Sequence, residues 1–250
     1  MMDIKTPEEI EVMKKGGQRL RTVVKALLNK IEAGMTTKEV DLLAEKLIKE
    51  QGGEPSFKKV DNYFWSTCLP INEQVVHTPP MERELKVSDV LTLDIGMYFE
   101  GYHTDFATSF VIGNKANIET VKFLEVGKKT LQKAINQARV GKRLGHISEA
   151  IQTGIEGAGY HVMRELTGHG IGKELHEDPY VFGYLDRPID KTSLIKPGLT
   201  IAVEVIYAKG TEDIKYEKGN DWSIVSADRS LTACFEHTIA ITEKGTLILT

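Results

Sequence analysis

VLTLDIGMYFEGYHTDF, residues 90–106, sets two aspartates inside sequence that otherwise has the composition of a β-hairpin. Apolar-rich arms flank Phe99-Glu100-Gly101, a turn candidate whose glycine accepts the positive φ of a tight reversal. With Phe99 and Glu100 at the centre of the turn, Asp94 faces Asp105 directly across the ladder. Side chains so opposed stand roughly 5 Å apart at Cβ, and like charges there repel. A bound divalent cation turns that repulsion into ligation. Taken singly, Asp105 reads better as an ordinary turn or surface aspartate, and Asp94 divides evenly between the two readings.

Two glutamates resist the ordinary explanation. Glu204 interrupts Thr200-Ile201-Ala202-Val203-Glu204-Val205-Ile206-Tyr207, and Glu236 interrupts Ala233-Cys234-Phe235-Glu236-His237-Thr238-Ile239. A carboxylate at the centre of a β-branched, apolar run is costly to bury unless something pairs with it. His169 sits in Gly168-His169-Gly170-Ile171-Gly172, where glycines allow close approach of a partner group; a glycine-rich turn with an incidental histidine is the alternative. His176 follows seven residues later, and no H-E-x-x-H pattern occurs. Four carboxylates and one imidazole form an oxygen-rich donor set suited to Mn, Fe or Co, with Zn also possible. Two such ions roughly 3.5–4 Å apart share bridging carboxylates, an arrangement suited to amide or ester hydrolysis.

The 250 residues are 41% hydrophobic, enough for one large core or two fused halves. A net charge of -4 carries no basic footprint for nucleic acid. Two cysteines, Cys68 and Cys234, make no disulfide framework and fit a reducing compartment; a bond between them stays open. Met1-Met2-Asp3-Ile4-Lys5 lacks a signal-peptide layout and no apolar run reaches membrane-span length, so a cytoplasmic protein is expected.

Thr6-Pro7-Glu8-Glu9 is a capped helix start, with apolar residues at helical spacing to Leu28 and a weak point at Gly16-Gly17. A second helix starts at Thr36, with Glu39 completing its capping box. The layout then recurs: Asn117 opens a helix, and a short helix follows Gly141. The same 18-residue spacing separates Gly34 from Gly52 and Gly141 from Gly159. Each helix pair precedes β-like sequence holding two of the carboxylates. The expected fold is α+β: one catalytic domain over 1–250, with an internal pseudo-repeat of roughly 1–114 and 115–250. Residues 184–198 are expected to form a loop, punctuated by Pro188 and Pro197-Gly198.

Taken in order, Gln74-Val75-Val76-His77-Thr78-Pro79-Pro80, Leu93-Asp94-Ile95, Tyr102-His103-Thr104-Asp105, the stretch from Gly168 to Glu177, Glu204 and Phe235-Glu236-His237-Thr238 resemble type I methionine aminopeptidase. The resemblance spans nearly the whole chain. It implies the pita-bread fold, two pseudo-symmetric halves around a central dimetal site. It implies Asp94, Asp105, His169, Glu204 and Glu236 as ligands of two divalent ions. The implied reaction removes the N-terminal methionine of nascent polypeptides through a hydroxide held between the metals, with Glu204 shuttling the proton. His77 and His176 would contact the substrate, and Tyr63, Cys68 and Trp222 match positions of the methionine pocket, with Phe64 and Trp65 nearby. A cytoplasmic monomer, with the ribosome as a further partner, is the matching expectation. One departure is Glu204-Val205, where the family usually has Glu-Pro. Two other readings are a proline-directed relative, which usually carries an additional N-terminal domain, and a silent pita-bread protein that binds peptides, RNA or ribosomes, which typically loses ligands. The remaining histidines, His103, His146, His161 and His237, are expected outside the ligand set, His237 on the opposite strand face from Glu236.

Overall fold

The computed structural model describes residues 2–250. The first two helices begin as their capping sequences dictate. Helix α1 (Pro7–Leu28) starts where Thr6 Oγ1 accepts from the Glu9 amide at 3.2 Å and the Glu9 carboxylate accepts from Thr6 N at 2.8 Å. Helix α2 (Thr37–Glu50) repeats this between Thr36 and Glu39 at 3.1 and 2.7 Å. Short strands β1 (Glu54–Pro55), β2 (Thr67–Cys68) and β3 (Gln74–Val76) lead to a long hairpin, β4 (Val90–Phe99) and β5 (Tyr102–Val111). The second half opens with α3 (Ile118–Gln137), where Asn117 Oδ1 caps the Thr120 amide at 2.7 Å, and α4 (Leu144–Glu156). Strands β6 (His161–Val162), β7 (Thr167–Gly170), β8 (Glu177–Phe182) and β9 (Thr200–Ala208) follow. Then come β10 (Ile214–Tyr216), β11 (Ile224–Ser226), β12 (Thr232–Thr242) and β13 (Gly245–Ile248).

Ten strands form one antiparallel sheet with the path β1-β4-β5-β12-β9-β7-β8, while β10, β11 and β3 make a smaller one. Strand alternation sorts the two faces of the main sheet. Leu91, Leu93 and Ile95 of β4 pack with Leu20, Leu27, Val40 and Ile48 of the first helix pair. Val203 and Val205 of β9 and Phe235 of β12 pack with Phe123, Leu131, Ile147 and Ile151 of the second. The residues between them, Asp94, Glu204 and Glu236, therefore project from the face away from the helices.

The hairpin differs from its expected register by two residues. Phe99 pairs with Tyr102, so the reversal consists of Glu100 and Gly101, at φ 48° and 93°. Both lie in the left-handed region of a two-residue type I′ turn, which matches strand twist better than a turn centred on Phe99-Glu100. Asp105 consequently opposes Gly96, and Asp94 opposes Ala107. A shift of two preserves the face, so the aspartates remain diagonal neighbours on one side of the sheet.

Gly16-Gly17 is a packing requirement, not a weak point: α1 runs unbroken through it. A Cβ on Gly17 would overlap the Leu249 carbonyl. The segment 184–198 is irregular except for a single 3-10 turn, Ile189–Lys191. Cys68 and Cys234 are both free and buried. Among the described residues no helix is long and apolar enough to cross a membrane.

Gly17→Ala forces α1 away from the Leu249 backbone and should lower stability by roughly 1–3 kcal/mol. Urea unfolding measures this, and a wild-type midpoint would show that the helix does not need the close approach.

Candidate metal centre

Sheet register assembles the site in two transverse rows. In the first, Asp94 lies beside Ala107, Ala107 beside Glu236, and Glu236 beside Glu204, across β4, β5, β12 and β9. The second row lies two residues along each strand: Gly96 beside Asp105, and Thr238 beside Ala202, which pairs with His169 on β7. Thr238 joins this row to Asp105, its Oγ1 accepting from Asp105 N at 2.8 Å and donating to Asp105 O at 2.9 Å. Positions two apart share a face, so all five side chains project together.

The ligand atoms of Asp105, His169 and Glu236 lie within 4.8 Å of one another, and all three residues are buried. Glu204 Oε1 stands 3.5 Å from His169 Nε2. Asp94 lies outside the tight triad but lines the same cavity. Among the described residues no lysine or arginine pairs with any of the four carboxylates. Burial, reinforced by the neighbouring carboxylates, pushes Asp94, Glu204 and Glu236 well above the usual carboxylate range. Burial likewise raises Asp105. His169 is shifted the other way by burial and stays neutral. Its Nδ1–H donates to the Gly170 carbonyl at 2.8 Å, which turns the Nε2 lone pair toward the carboxylates. Glu236 Oε1 is buried without a hydrogen-bond partner. An orphaned carboxylate oxygen, a converging imidazole lone pair and an uncompensated acidic cluster fit a divalent cation.

A cavity of about 530 Å³ opens over this cluster. His77 and His176 are solvent-accessible on its walls. His77 holds φ 57°, an uncommon conformation for a residue with a Cβ and one that concentrates at functional positions. His176 stands edge-on to His169 with ring centroids 4.5 Å apart. Tyr63, Cys68 and Trp222 form an adjoining wall, with Tyr63 and Trp222 in T-shaped contact at 5.1 Å. The Tyr63 hydroxyl donates to Thr67 O at 2.8 Å and lies 3.1 Å from Cys68 Sγ.

Neither Phe64 nor Trp65 lines the cavity. Phe64 is 71% exposed, and Trp65 buttresses Tyr63 at 5.3 Å between ring centroids. His103 is buried and does not line the cavity, with Nδ1 2.9 Å from Ser56 Oγ. His237 faces away from Glu236, tilted against Phe106. Val205, in the family's proline position, stays in register opposite Phe235. Phe57 and Asp41 also contribute, though the sequence reading does not single them out. Phe57 reaches the wall from a 3-10 turn. Asp41 Oδ1, on α2, accepts from Ser66 N, Thr67 N and Thr67 Oγ1 at 2.9, 2.9 and 2.8 Å and so fixes the strand carrying Cys68. Only its acidic character within a buried helical stripe marks Asp41 out.

In metal-free buffer, Glu236→Gln should be more stable than wild type by roughly 1–3 kcal/mol, because a carboxyl that burial and its acidic neighbours make costly to ionise is replaced by a neutral amide. Added Mn²⁺ should stabilise wild type and leave the variant almost unmoved. Thermal unfolding with and without the ion reads both, and equal stabilisation of the two proteins would remove Glu236 from the ligand set.

Comparison with known proteins agrees with this geometry. The sequence model of metallopeptidase family M24 matches residues 11–243. Methionine aminopeptidase 1 of Bacillus subtilis is 41% identical over 250 residues, covering 100% of this chain and 99% of the relative. A methionine aminopeptidase of Clostridium acetobutylicum is 39% identical over 251 residues, with 100% and 99% covered. The crystal structure of methionine aminopeptidase from Thermotoga maritima superposes with a TM-score of 0.95 at 35% identity, covering 100% of this chain and 99% of that one. Prolidase from Pyrococcus furiosus shares the fold alone, with a TM-score of 0.78 at 23% identity over 99% of this chain and 65% of that one. The architecture is the pita-bread fold. The chain belongs to metallopeptidase family M24 and, within it, to the type I methionine aminopeptidases.

Proposed function

We propose that the protein removes the N-terminal methionine from polypeptides by metal-dependent hydrolysis, at the face where the two rows of ligands meet the Tyr63–Trp222 wall. The observation that carries this is the convergence of Asp94, Asp105, His169, Glu204 and Glu236 on one sheet face under a shared cavity. Among the described residues no lysine or arginine pairs with the four carboxylates, and two divalent ions would balance their charge once all four are ionised. Mn, Fe, Co and Zn all suit this donor set. When bound, such ions make water acidic enough to attack at neutral pH and polarise the substrate carbonyl.

The chain's own groups divide the remaining work. Glu204 takes the proton of the attacking water and passes it to the leaving amine. His176, beside the cluster, donates to the oxygen that gains charge in the tetrahedral state. His77 holds the scissile amide nitrogen. Tyr63, Cys68 and Trp222 bind the methionine side chain, an apolar and polarizable group matched to an aromatic, sulfur-bearing wall. Residues 1–250 work as one catalytic domain of two related halves, acting as a monomer in the cytoplasm on nascent chains, with docking at the ribosome as a further partnership.

Chelator-treated protein should release no methionine from Met-Ala-Ser and regain turnover when Mn²⁺, Co²⁺ or Fe²⁺ is restored, while Xaa-Pro peptides stay uncut. His176→Ala should lower kcat by roughly 10²–10⁴-fold while retaining its metals. Metal-independent release of methionine, or full turnover without His176, would refute the assignment.

A further inference from the structure

We propose that Lys5 is a positioning residue for His176, acting through Glu177; the inference rests on the reading above that His176 meets the substrate. Lys5 precedes α1 and is far from the cavity in sequence, yet its side chain is only 1% exposed. Its Nζ pairs with Glu177 Oε2 and, at 3.1 Å, with Asp3 Oδ2. The other Glu177 oxygen, Oε1, accepts from the Glu174 amide at 3.1 Å. One carboxylate therefore ties the buried ammonium to the backbone of the turn between β7 and β8. That turn carries Leu175 and His176 into the cavity.

The fit is close on every side. A Cβ on Gly172 would overlap Lys5 Cε and stand 2.6 Å from Nζ and 2.9 Å from Glu177 Oε1. The Gly172 carbonyl accepts from His103 N at 2.7 Å, and Gly172 N donates to Glu174 O at 3.0 Å. The Lys5 backbone is itself fixed, its N–H donating to Gly198 O at 2.8 Å. A second tie runs from the same helix start: Glu9 Oε1 accepts from Tyr102 at 2.6 Å and pairs with Lys173 at 3.3 Å. Residues 171–176 belong to no strand ladder, so these ties define the turn's shape. A catalytic donor on such a turn loses effectiveness when displaced by a fraction of an ångström.

Lys5→Met keeps the stem and removes the ammonium. Glu177→Gln keeps the shape and removes the charge, and leaves Lys5 with Asp3, so it folds even if Lys5→Met does not. In metal-loaded protein acting on Met-Ala-Ser, each change should lower kcat roughly 10-fold, with KM within about twofold and metal content unchanged. The double variant should be no slower than the slower single one, and Lys5→Met should have no further effect in a His176→Ala background. Trypsin should cleave the metal-free variants faster than wild type after Lys173. Wild-type kcat and wild-type cleavage in the folded variants would overturn the clamp, as would an undiminished Lys5→Met effect in the His176→Ala background. A wild-type protein that releases no methionine, or an unimpaired His176→Ala, would instead overturn the reaction assigned to the site, and the cleavage rates would still decide the clamp.

Discussion

Repulsion among four carboxylates held on one face of a rigid sheet is the constraint around which this protein is organised. Asp94, Asp105, Glu204 and Glu236 occupy positions where an apolar side chain would pack at no electrostatic cost, and among the described residues no lysine or arginine pairs with them. The free energy forgone is recovered only when positive charge arrives from outside. Stability and activity are therefore linked: the arrangement that suits two divalent ions is a liability to the metal-free fold.

Antiparallel pairing makes this possible with little machinery. Strand parity sends apolar side chains to the helices and acidic ones to the cavity from the same strands, β4, β9 and β12. The side chains of the candidate metal centre thus stand on sheet strands whose apolar faces pack against the two helix pairs. The two histidines assigned to the substrate come from irregular segments instead: His77 in a left-handed conformation, His176 on a turn that Lys5 and Glu177 tie.

Much of this was legible from residues alone. The capping boxes at Thr6 and Thr36 and the cap at Asn117 mark helix starts correctly, because each is a contact within three residues. Glu204 and Glu236 stand out because carboxylates interrupt β-branched runs there, a signal that survives without any knowledge of pairing, whereas Asp105 taken alone reads as an ordinary aspartate. The hairpin register was misjudged by two because turn type depends on which residues accept positive φ, and Glu100 gives no advance notice that it does. Gly17 reads as a helix weakness since its partner, the Leu249 carbonyl, is more than two hundred residues away. Phe57 and Asp41 were missed for the same reason: the wall and the strand they serve are brought to them by tertiary packing. Phe64, adjacent to a true wall residue, turns outward, which adjacency in sequence cannot reveal.

The position of β12 has a consequence for how the protein is made. This strand is next to last in the chain but central in the sheet, between β5 and β9. During synthesis both of those neighbours emerge first, each with a margin of backbone N–H and C=O groups that still lacks its native partner. Until β12 is made, neither margin can be covered by its native neighbour, and unpaired strand edges are the feature most prone to pair wrongly with another molecule. Closure also delivers Glu236, so the acidic cluster is completed in the same event that seals the sheet.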